Sequence, residues 1–182
     1  MVEDGAVMDA GYATWSERPY ADAVVGRGRE LLAAGEAAAA VAACDHALRH
    51  YAYDARALCL KSIALARLGR YDEALAAATR AIYGDTALGS GYAARAAVLA
   101  ALGREQEAAA DLAYAEEFMS LCGLALFEVA CGWSRLGRMG ECRRVLGRSL
   151  DVAPGLAARM PVEEALERYR DEPWFRELSG RH

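Results

Sequence analysis

Small and apolar residues recur along this chain in paired runs flanking a glycine, and the pairs return every 34 residues. Gly35, Gly69, Gly103 and Gly137 mark the midpoints. Within each run the apolar side chains step by three and four, the period of a helix that buries one stripe. The pattern predicts helices over about 20–33, 37–50, 55–67, 71–83, 88–101, 105–118, 122–135 and 138–151. Numbered from Ala21, Ala55, Gly89 and Gly123, each unit has its glycine at the fifteenth position. The eighth position is Gly28, Ser62, Ala96 and Ala130, the twentieth Ala40, Ala74, Ala108 and Cys142, and the twenty-seventh Ala47, Ala81, Ala115 and Ser149. Small residues there let helix backbones approach to about 8–10 Å. Larger apolar residues stand at the fourth position (Val24, Leu58, Tyr92, Leu126) and the eleventh (Leu31, Leu65, Leu99, Trp133), to fill the space between helices.

A period of 34 residues with two helices per unit and small residues at these positions resembles the tetratricopeptide repeat. That resemblance implies an all-α fold, a right-handed superhelical solenoid of four helix-turn-helix repeats with a C-terminal capping helix. The units are expected over about 21–54, 55–88, 89–122 and 123–156, with the repeat region spanning 20–154. The pattern departs from the family where the fourth-position aromatic survives only as Tyr92, the eighth position carries Ser62, and the proline at the thirty-second position survives only as Pro154.

The ends do not fit the period. Residues 1–19 are polar and aperiodic, an expected mobile leader with Tyr12 and Trp15 as possible anchors. Beyond Pro154 a fifth unit would need its turn glycine where Asp171 stands. Residues 155–182 are expected to form the cap, with a helix from Pro161 that turns Val162, Leu166 and Tyr169 to one face and a second helix start at Pro173. The ending DEPWFREL resembles the tail that closes many arrays of this family, which implies that Trp174, Phe175 and Leu178 tuck onto the last repeat.

Composition narrows the function. The net charge of −5 gives no basic field for nucleic acid. The opening carries acidic residues where a secretory signal is basic, and no apolar run is long enough to span a bilayer, so a cytoplasmic, membrane-free chain is expected. The arginine and alanine bias suggests a bacterial genome. Five cysteines lack C-x-x-C pairing and read as reduced, small apolar residues.

Catalytic apparatus is not visible. His46 and His50 are spaced for a metal on a helix, but Cys44 faces another side, and no metal is expected. Gly26 and Gly28 lack the strand and third glycine of a dinucleotide loop, so no cofactor is expected. Carboxylate pairs such as Asp72 and Glu73 stand at helix starts, where negative charge favours the macrodipole. The chain is expected not to be an enzyme.

The family resemblance implies a concave groove lined by the first helix of each repeat. Carried onto this sequence, its surface includes Val25, Arg29, Arg56, Cys59, Ile63, Arg67, Ala93, Ala97, Phe127, Cys131 and Arg135, an apolar floor with an arginine rim. The expected function is a protein-interaction module holding a peptide or partner segment with apolar and acidic residues. Two rivals stand beside it: a self-associating scaffold component, hence a homo-oligomer, and a bacterial secretion-type chaperone. The family's carboxylate clamp, which uses asparagine, is not expected, as the chain has none.

Overall fold

The computed structural model describes residues 18–84, 89–118 and 123–180. The leader with Tyr12 and Trp15, together with Cys122, lies outside the described residues. Eight α-helices form four consecutive hairpins: α1 (Arg18–Ala33) with α2 (Ala37–His50), α3 (Ala55–Arg67) with α4 (Tyr71–Gly84), α5 (Ser90–Ala101) with α6 (Glu105–Phe118), and α7 (Gly123–Arg135) with α8 (Met139–Val152). Each first helix also packs on the first helix of the next hairpin. The result is an all-α helical-repeat solenoid.

The four turns share one mechanism. Gly35, Gly69, Gly103 and Gly137 have φ of 81°, 73°, 72° and 69°, the left-handed region that glycine enters without strain. In the second hairpin the amide of Arg70 donates to the Leu65 carbonyl at 3.0 Å and that of Gly69 to the Ala66 carbonyl at 3.0 Å. The same pair of bonds closes the other three turns. This satisfies carbonyls that a helix end otherwise leaves bare and reverses the chain in few residues. At the entry to α3, the Asp54 carboxylate accepts from the amides of Arg56 and Ala57 at 2.9 and 3.1 Å.

The small positions are the contact points. All four residues at each of the eighth, twentieth and twenty-seventh positions are buried. Where a serine replaces alanine, its hydroxyl is satisfied: Ser62 donates to the Ala74 carbonyl at 2.8 Å and Ser149 to that of Gly123 at 2.7 Å. A buried hydroxyl without such a partner would cost about 1–3 kcal/mol. At Gly28 a Cβ would stand 2.6 Å from the Leu60 side chain of α3, so the glycine lets α1 pack closely on the first helix of the next hairpin.

The cap differs from the helix expected from Pro161, while the second start expected at Pro173 is where its last helix begins. Two 3-10 helices, η1 (Pro154–Val162) and η2 (Glu164–Tyr169), precede a short α9 (Pro173–Ser179). Pro161, expected to start a helix, sits inside η1. Val162 is 79% exposed, whereas Leu166 and Tyr169 are buried. The tighter winding is the reason: a 3-10 helix turns once every three residues, so Ala157 and Met160 share a face, as do Leu166 and Tyr169, while Val162 turns away. Trp174, Phe175 and Leu178 are buried in the same core cluster, with Trp174 against Tyr169 at 5.4 Å between ring centroids.

Candidate functional site

The surface to weigh is the first-helix face, where residues of α1, α3, α5 and α7 succeed one another at equivalent positions. Along it, position five is Val25, Cys59, Ala93 and Phe127, and position nine is Arg29, Ile63, Ala97 and Cys131. The structure divides this row in two.

Over α7 the face is closed by the chain itself. Phe127 and Cys131 are fully buried, in one cluster with Ala157, Met160 and Leu166 of the cap. This corrects the expectation of an open floor at these two residues. The Arg159 guanidinium lies 4.8 Å from the Phe127 ring centroid and reaches Glu128 at 3.4 Å. The Ser134 hydroxyl donates to the Ala165 carbonyl of η2. An apolar pair, a cation over an aromatic ring and a main-chain hydrogen bond therefore hold an irregular segment on this face. Burial pushes the Cys131 thiol far up, with the charges of Glu163 and Glu128 adding to it.

Over α3 and α5 the face stays open. Ile63 is 39% exposed, and Ala93 and Ala97 are half-buried. Cys59 is buried, its sulfur 3.7 Å from the Ser90 hydroxyl, which joins the two helices at this point. Its thiol is pushed up to about 11 chiefly by burial; the Ser90 hydrogen bond opposes the shift and the Asp54 charge adds to it. Over α1, Val25 is 4% exposed and belongs to the core of the first two hairpins, so it too is corrected from an open floor.

The four arginines of the expected rim are all exposed but differently engaged. Arg56 pairs with the capping Asp54 at 3.3 Å. Arg67 donates to the Leu32 carbonyl at 2.6 Å, which ties α3 to the end of α1 while leaving its charge at the surface. Arg29 has no ion-pair partner among the described residues. Arg135 stands in an open recess with Glu164, Ala165, Glu167 and Arg168 of η2.

Ala157, Met160 and Leu166, which close the fourth-repeat face, lie outside the groove expected from the repeat pattern. Their spacing by multiples of three carried the signal, since it is the period of a 3-10 helix rather than of an α-helix. Among the described residues, no group of three His, Cys, Asp or Glu side chains is placed to hold a metal ion. His46 and His50 lie with ring centroids 5.5 Å apart, while Cys44 is buried. No described helix is long and apolar enough to cross a membrane.

No protein-family profile matches the chain, and no curated protein does. Solved structures do. TTC0263, a thermophilic tetratricopeptide-repeat protein of Thermus thermophilus, is 19% identical, with a TM-score of 0.64 over 87% of this chain and 86% of that one. The crystal structure of MamA is 13% identical, with a TM-score of 0.50 over 84% of this chain and 87% of that one. The chain thus shares the all-α solenoid fold of tetratricopeptide-repeat proteins.

Proposed function

We propose that the protein is a non-enzymatic interaction module whose working surface is the first-helix face over α3 and α5. It takes a peptide or partner segment that presents large apolar side chains and acidic groups. The observation that carries this reading is the contrast along one face. At the fourth hairpin the face is filled by a segment of the chain itself, down to full burial of Phe127 and Cys131. At the second and third hairpins, equivalent positions leave Ile63 exposed and Ala93 and Ala97 half-buried, with Cys59 buried between them. Small floor residues at 93 and 97 leave room for bulky side chains of an incoming segment. Arg29, Arg67 and Arg135 would orient its carboxylates, since complementary charge sets register and on-rate.

Selection of displayed peptides against the full chain, followed by calorimetric titration of the winners, tests the reading. The expected winners carry aromatic or branched apolar residues beside Asp or Glu, and Ile63→Glu abolishes their binding while the helical signal is kept and the melting temperature falls by no more than about 8 °C. Peptides that bind the Ile63→Glu protein undiminished would overturn it.

A further inference from the structure

A second surface carries chemistry of its own. At one edge of the third hairpin, Tyr92 of α5 lies tilted against Tyr114 of α6, with ring centroids 4.1 Å apart and an interplanar angle of 38°, and Tyr114 stacks on Phe118 at 4.4 Å with an interplanar angle of 27°. This row of three rings runs from the interior outward. Tyr92 is half-buried, Tyr114 is 37% exposed and Phe118 is 48% exposed.

The inner end of the row is already occupied by a guanidinium from the chain. Arg95 lies over the Tyr92 ring at 5.5 Å from its centroid. It is held there by a two-pronged bond to the Asp111 carboxylate, Nε to Oδ2 and the second nitrogen to Oδ1, each at 2.7 Å. A ring face supplies the quadrupole that attracts a cation, and a carboxylate fixes the planar fork. The outer end offers an exposed ring and an exposed carboxylate with no cation over the ring among the described residues. Glu117 stands three residues after Tyr114 on α6, the spacing that makes side chains neighbours on a helix surface, and it adjoins Phe118 in sequence. It is exposed and has no ion-pair partner among the described residues. Helix α6 carries no basic residue; its Glu107 is paired with Arg104, its Asp111 with Arg95 and its Glu116 with Arg144 and Arg148 of α8, which leaves Glu117 as the carboxylate at the outer end without such a partner among the described residues.

We propose that Tyr114, Phe118 and Glu117 form a docking site for an arginine side chain of a partner polypeptide. The partner's guanidinium lies on the exposed Phe118 and Tyr114 rings with its fork toward the Glu117 carboxylate, repeating outside what Arg95 and Asp111 do inside. Arginine fits better than lysine because its planar group stacks on a ring and bonds a carboxylate through two nitrogens at once. This site is distinct from the α3–α5 face and selects the opposite charge.

Titration of the isotope-labelled full chain by NMR tests it, with acetyl-Gly-Arg-Gly-amide as the probe and its citrulline counterpart, a neutral isostere, as control. The expected result is a saturable shift of the Tyr114 and Phe118 ring signals and the Glu117 amide with the arginine peptide. Citrulline should bind at least about fivefold more weakly, a ratio consistent with one exposed cation–π contact plus a carboxylate. Phe118→Ala and Glu117→Gln should each reduce arginine binding severalfold. Both positions are exposed, so their melting temperatures should stay near the parent's and separate lost binding from lost fold. Equal affinity for the two peptides would overturn the proposal, as would shifts confined to other residues or no shift at millimolar probe. Concentration-dependent broadening of these rings without any probe would also overturn it, in favour of a second copy of the chain as occupant.

Discussion

Truncating Phe127 and Ile63 to alanine separates the closed part of the first-helix face from the open part. Phe127 is fully buried between α7 and the cap, with the Arg159 guanidinium over its ring. Phe127→Ala removes a core ring and leaves that guanidinium facing a void, at a cost of about 3–5 kcal/mol. For a chain of this size each kcal/mol lowers the melting temperature by about 2–4 °C, so a fall of about 6–20 °C is expected. Ile63 keeps 39% of its surface in water. Full burial of such a side chain stabilises by about 1.5–3 kcal/mol, and Ile63→Ala should therefore cost roughly 1–2 kcal/mol, or about 2–8 °C. Thermal melting followed by circular dichroism measures both. Tryptophan fluorescence adds a local readout, because Trp133 and Trp174 share the cluster that contains Phe127. The Phe127 variant should shift that fluorescence at temperatures where the Ile63 variant does not. Were Phe127→Ala to melt within about 2 °C of the parent with unchanged fluorescence, the cap would not seal α7, and the division of the face would be refuted.

Two further outcomes follow from backbone conformation and from burial. Gly69→Val should cost about 1–2 kcal/mol through its φ of 73° alone, since a Cβ there meets nothing within 4 Å, and Gly69→Asn should recover part of the loss. Gly123→Ala should cost about 1–3 kcal/mol for the other reason, a Cβ placed 2.5 Å from that of Ala153 and 3.0 Å from the Ser149 carbonyl oxygen; Gly123→Asn should be worse, and urea unfolding ranks the four. The thiols of Cys44 and Cys59 are both pushed up to about 11, by burial first. Their neutral form is favoured by the fold, so their contribution is present below the ordinary thiol pKa and is lost as pH rises through about 11. Melting temperature should fall between about pH 9 and 11, and mass spectrometry after iodoacetamide at about pH 8 should find both unmodified in the native chain. Rapid native-state alkylation of either would contradict their placement.

The hairpins were legible because their determinants are local or strictly periodic. A turn glycine needs only its own φ, and the two bonds that close each turn join residues at most five apart. Asp54 as a cap is likewise settled within three residues. Small residues at fixed positions announced where helices touch, since a backbone approach of this kind tolerates nothing larger. The candidate site was legible only as a row of equivalent positions. Exposure along that row differs because Val25 is packed into the core of the first two hairpins and because Phe127 and Cys131 are covered by cap residues well beyond them in sequence.

By itself, then, the sequence determined the repeat, its turns and the stripe each helix buries, because these follow from a period of 34, from the helical period of about 3.6 and from residues that only one conformation suits. Tertiary structure alone decided how much of the first-helix face remains open. The cap's 3-10 turns pack against α7 and α8, where Met160 and Leu166 are buried and the Ala165 carbonyl accepts from the Ser134 hydroxyl. Tertiary structure also brought Tyr92 of α5 against the Tyr114–Phe118 pair of α6, a contact that forms only when the hairpin closes. Contacts of this kind depend on which distant groups compete for the same surface, and no local pattern records the outcome of that competition.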